Sequence, residues 1–119
     1  MMKAPSGEGS GMRNLTNLFS GIPKAFDQEL VDELLKDGSV RIERIVSRGQ
    51  SSPPDYWYDQ AEHEWVVVLA GKARLKIERQ PEIILGPGDT LYLPAHTKHR
   101  MEWTDPQQDT IWLAVFWKP

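Results

Sequence analysis

From Val40 to the C-terminus the apolar residues recur at every second position, in short runs cut apart by glycine and proline turns. A period of two belongs to strands whose side chains alternate between two faces, and it excludes a helical body for this part of the chain. The runs are VRIERIVS, EWVVVLA, ARLKIE, EIIL, TLYLP, HRMEW and TIWLAVFW. Within ARLKIE, Ala73, Leu75 and Ile77 alternate with Arg74, Lys76 and Glu78, as in a strand with one buried and one wet face. Pro87 and Gly88 occupy the centre of LGPGD, where proline presets φ and glycine accepts φ > 0, the requirement of a type II turn. Pro53 and Pro54 make QSSPPDYWYDQ a loop or edge. Strands at this spacing predict a sandwich or barrel.

The N-terminal third reads differently. Residues 1–13 have no apolar periodicity and are expected to be a disordered tail, leaving 14–119 as one domain. Leu15, Leu18 and Phe19 form a short apolar segment suited to lying across a sheet. Leu30, Val31, Leu34 and Leu35 share a helical stripe, with Asp27 placed to cap its start and Gly38 its end, so one short helix is expected over 28–36.

Bulk properties narrow the function. The chain has no cysteine, which removes disulfide and thiolate chemistry. Its 14 basic and 17 acidic residues are dispersed, with no basic stripe for phosphates, so nucleic acid is not an expected partner. No apolar run approaches the ~20 residues of a membrane span and no secretory signal core is present, which together predict a cytoplasmic protein with no membrane partner.

Strand alternation turns Glu64, Val66 and Val68 to one face and Trp65, Val67 and Leu69 to the other. If Glu64 points inward, it stands over an apolar floor. His96 and His99 flank the turn PAHTKH, and a carboxylate with one or two imidazoles converging on a concave mouth is a ligand set used by divalent transition metals.

The spacing from Glu64 to Gly71, the Pro-Gly-Asp at 87–89, and Pro94 with His99 resemble the two motifs of the cupin superfamily, over about Tyr58 to Trp103. More closely, the run resembles small single-domain bacterial cupins of unassigned function. The resemblance implies an all-β antiparallel double-stranded β-helix, here with one short N-terminal helix. It also implies a metal held by two histidines and a glutamate of the first motif and one histidine of the second. This chain departs from that pattern: the two first-motif histidines fall at Tyr58 and Gln60, the expected asparagine is Trp103, and a glycine of the second motif is His96. The retained pair is Glu64 and His99, with His96 and the Gln60 amide oxygen as substitute ligands for Fe, Mn, Ni, Cu or Zn.

Tyr58, Trp57 and Trp103 are the expected substrate-contacting groups, against a plain packing role for the two tryptophans. His96 has a second reading as a turn residue with an unusual backbone angle. Asp59 can line the pocket, serve as a substitute ligand or cap a turn; His63 is expected at the surface, with a ligand role if the loop shifts; and Arg41, Arg44 and Arg48 read as a solvated edge, with anion contact at the mouth the lesser alternative. Trp65, Val67 and Leu69 are too apolar for a wet sheet face, so either the expected helix or a second subunit covers them, and a homodimer is expected. Two functions stay open: a metal-dependent enzyme acting on a small polar molecule, or a metal-free binding or sensing module. The loss of both first-motif histidines favours the second. A metal-independent sugar isomerase or epimerase is a third, lesser reading.

Overall fold

The computed structural model describes residues 17–119, so the expected tail lies outside the described residues. Eight strands follow one another: β1 (Leu30–Asp37), β2 (Val40–Ser47), β3 (His63–Ala70), β4 (Ala73–Ile77), β5 (Ile83–Leu85), β6 (Thr90–Leu93), β7 (His99–Thr104) and β8 (Thr110–Trp117). They form a five-stranded sheet in the order β1-β2-β8-β3-β6 and a three-stranded sheet in the order β5-β4-β7, with every pairing antiparallel. The alternation from Val40 onward is therefore realised strand for strand.

The expected helix is absent, and its residues form β1. An isolated helix of this length is marginal in water, whereas a strand laid along β2 pairs its backbone groups throughout. The helical spacing has a specific origin. A bulge between Glu33 and Leu35 lets Asp32 and Leu35, three positions apart, share one face of the sheet opposite Arg44 and Ile42. Gly38, expected as a helix cap, instead has φ 59° in the turn between β1 and β2.

Two further glycines set the closure of the sheets. Gly88, at φ 88°, donates its N–H to the Val68 carbonyl at 2.7 Å, and Asp89 N–H closes the turn on the Gly86 carbonyl at 3.0 Å. Gly71, at φ 91°, sits where a Cβ would lie 2.4 Å from Thr110 Cα, so the turn from β3 to β4 runs directly against β8.

The core lies between the sheets. Val66, Val68, Trp112, Ala114 and Phe116 of the larger sheet meet Ala73, Leu75 and Leu85 of the smaller. Outside, the Arg44 guanidinium is buried: it pairs with Asp32 at 2.6 Å and donates to the carbonyls of Leu18 and Ser20. This tethers the 17–21 segment to β2. Arg44 is not the solvated residue expected from its spacing, because burial of a charge is sustained by these three acceptors.

Candidate functional site

Inward positions of the five-stranded sheet form rows, and one row carries the chemistry. Arg41 of β2 pairs with Phe116 of β8, Phe116 with Glu64 of β3, and Glu64 with Leu93 of β6. The next inward row holds Glu43 and Ala114, and beyond it lie Ile45 and Trp112. All of these but Ala114 line a cavity of about 620 Å³ between the sheets, within the range of small-molecule pockets. His99 and Met101 of β7 and Leu75 of β4 close it from the opposite sheet.

The loop before β3 supplies the remaining wall. Tyr58 bridges His99 through two backbone hydrogen bonds, its N–H to the His99 carbonyl at 2.8 Å and the His99 N–H to its own carbonyl at 3.1 Å. The Tyr58 ring stacks on the imidazole, with centroids 5.7 Å apart. Ser52, whose N–H bonds the Met101 carbonyl, continues this attachment along β7.

Glu64 and His99 meet in the cavity, with Oε1 and Nε2 separated by 3.8 Å. That is too long for a hydrogen bond and leaves both groups free to address a third atom. Burial raises the Glu64 pKa from its ordinary 4.5 to about 7, opposed by a hydrogen bond that Gln60 Nε2 donates to Oε1 at 3.2 Å. Burial lowers the His99 pKa. The neutral imidazole donates its Nδ1–H to the Thr97 carbonyl at 2.8 Å, which leaves the Nε2 lone pair facing Glu64.

Of the residues singled out in the sequence, Glu64, His99, Gln60 and Tyr58 line the cavity. His96 does not join them. It sits at φ 65° in the turn before β7 with its ring exposed, 2.8 Å from Asp59 Oδ1. The backbone angle that the turn demands carries the side chain away from the mouth. Trp57 and Trp103 also lie outside the lining, beneath the guanidinium groups of Arg100 and Arg74. His63, expected exposed, is half-buried between Tyr92 and Trp117 and accepts the Ala95 N–H at 3.0 Å.

Of the other polar lining groups, only Arg41 has a place at the mouth in the sequence reading, as the lesser alternative. Arg41 and Glu43 point inward, and Glu29 accepts the Ser47 hydroxyl at 2.8 Å with its pKa raised by burial. Trp112 is 3% exposed, lines the cavity, and has an indole N–H without an acceptor among the described residues. Alternation places Arg41, Glu43 and Ile45 on one face of VRIERIVS, the available signal; charges at that spacing more often mark a wet face.

The residues present do not fit a divalent metal. Among the described residues no group of three or more His, Cys, Asp or Glu side chains is arranged to hold one. Tyr58 and Gln60 stand where imidazoles are expected; burial raises the pKa of the Tyr58 phenol, and Gln60 offers a neutral amide oxygen, a weaker ligand than an imidazole nitrogen. Also among the described residues, no helix is long and apolar enough to cross a membrane.

Known structures share this architecture. The chain is similar to a "putative mannose-6-phosphate isomerase" from Ralstonia eutropha JMP134, with 42% identity, a TM-score of 0.85, and coverage of 87% of this chain and 97% of that one. A cupin superfamily protein from Desulfitobacterium hafniense DCB-2 aligns at 22% identity and a TM-score of 0.67, covering 82% and 84% of the two chains. An RmlC-like cupin from Desulfovibrio desulfuricans aligns at 17% identity and a TM-score of 0.69, covering 86% and 93%. At these identities the last two speak for the fold alone. No curated protein matches the sequence. The family model described as "Cupin domain" matches residues 43–116, and with the 42%-identical relative it places this chain in the cupin family.

Proposed function

We propose that the cavity binds a small polar molecule without a metal, and that Glu64 and His99 are its recognition pair. One observation carries this reading: a buried carboxyl that holds its proton to about pH 7 stands 3.8 Å from a neutral imidazole nitrogen. One group offers a hydrogen and the other a lone pair, and neither is consumed by the other. Elemental analysis of tag-free protein grown in metal-supplemented medium tests it. Metal far below one equivalent is expected. About one equivalent, lost in Glu64→Ala, overturns it.

The same pair has the makeup of an acid–base catalyst, since an acid with a pKa near the working pH and a neutral imidazole can transfer a proton in both directions. The description of the 42%-identical relative as a "putative mannose-6-phosphate isomerase" points the same way. Solvent deuterium appearing beside a sugar carbonyl, and lost in His99→Ala, is the measurement that establishes turnover.

The protein is also proposed to be a homodimer through the outer face of the five-stranded sheet. Leu35, Ile42, Val115, Trp65 and Tyr92 form one apolar row across all its strands, and the half-exposed Leu35 and Tyr92 end it. The expected helix that was the alternative cover is strand β1, within this sheet.

A further inference from the structure

The cavity wall is acidic. Asp27, Glu29, Glu43 and Glu64 line it, and Arg41 is its one Lys or Arg. That guanidinium is already engaged: Nε donates to Glu43 at 2.7 Å, Nη1 to Glu62 at 3.0 Å, and Cζ lies 4.3 Å from the Phe116 ring centroid. An incoming phosphate would find this cation neutralised by two carboxylates and no second Lys or Arg on the wall. Dissolving that clamp would leave partly buried carboxylates unpaired.

Trp112 lines the same cavity, so its indole signal reports whether the cavity is occupied. The carboxyl groups require a donor when ionised and also offer a hydrogen when protonated. A hydroxyl meets both demands, because it donates and accepts and does so against either protonation state of Glu64.

Building on the small-molecule reading above, we propose that the cavity takes a small polyhydroxyl compound without negative charge and rejects its phosphate esters. The phosphorylated sugar in the relative's name is therefore not transferable to this chain.

The test titrates full-length protein, labelled at its indole nitrogens, with mannose, mannosamine and mannose 6-phosphate. The Trp112 indole signal is assigned from its loss in Trp112→Phe. Expected is a Trp112 shift with mannose and mannosamine, and binding of the phosphate ester at least tenfold weaker. Equal or tighter binding of the ester with a Trp112 shift overturns the charge selection and leaves the pocket reading standing. Absence of binding by all three overturns the polyhydroxyl class. Binding that leaves Trp112 unmoved overturns both readings. Glu62 lies outside the cavity lining, so Glu62→Gln loosens the clamp on Arg41 while the wall stays in place. It is expected to raise mannose 6-phosphate affinity several-fold, and an unchanged value overturns the role given to the clamp.

Discussion

Glu64 Oε1 and His99 Nε2 lie 3.8 Å apart on strands from opposite sheets, both buried and both favoured in their uncharged forms. Their charges are suppressed by burial, the largest influence on each. An ion pair is thus not what joins the sheets here; the two groups remain available to a ligand.

Protonation of Glu64 should be visible in stability. Its pKa rises from 4.5 unfolded to about 7 folded, so its contribution is full below pH 4.5 and is lost as pH rises through about 7. The change is on the order of 3 kcal/mol. His99 carries the opposite sign, since its lowered pKa gives stability above its ordinary 6.5 that is lost as pH falls. Glu64→Gln removes the first effect and keeps the second. The wild-type minus variant difference in unfolding free energy should therefore decline between about pH 5 and about pH 8. A flat difference would show that Glu64 titrates normally.

Gly71 and Gly88 should respond differently to alanine. Both have positive φ, but a Cβ at Gly71 meets Thr110 Cα at 2.4 Å, while at Gly88 it meets nothing within 4 Å. Gly88→Ala should cost about 1–2 kcal/mol from backbone strain alone. Gly71→Ala should cost more than about 3 kcal/mol, because β3 and β8 must also separate. Thermal denaturation of the pair checks the order, and equal losses would contradict the close approach.

Arg44 should govern the 17–21 segment. Arg44→Ala removes the 2.6 Å contact to Asp32 and the bonds to the Leu18 and Ser20 carbonyls. A loss of roughly 2–3 kcal/mol is expected, with faster amide exchange across the segment than elsewhere. Exchange that stays unchanged there would show that the segment is held by other means.

The proposed dimer should depend on its apolar row. Trp65→Arg places a charge between Val115 and Tyr92, which should yield a folded monomer by light scattering at micromolar concentration. A wild-type monomer under the same conditions would sink the assembly.

What the sequence determined by itself was local: the strands from Val40 onward, the turn at Pro87 and Gly88, and the shared face of Glu64, Val66 and Val68. Each follows from a period of two and from the backbone angles that proline and glycine permit. The tertiary structure decided what depends on distant partners. Residues 28–36 have a helical stripe in isolation, and only pairing with β2, with a bulge to reset the alternation, makes Leu30–Asp37 a strand. His96 and His99 are near neighbours in the chain, yet one faces solvent beside Asp59 and the other faces Glu64, because the turn between them reverses direction. Arg41 reads as a solvated charge until the pairing of β2 with β8, and β3 beyond it, sets Phe116 and Glu62 against it next to Glu43 of its own strand. Alternation says which way a side chain points; desolvation, and with it the pKa of Glu64, depends on what arrives from the opposite sheet.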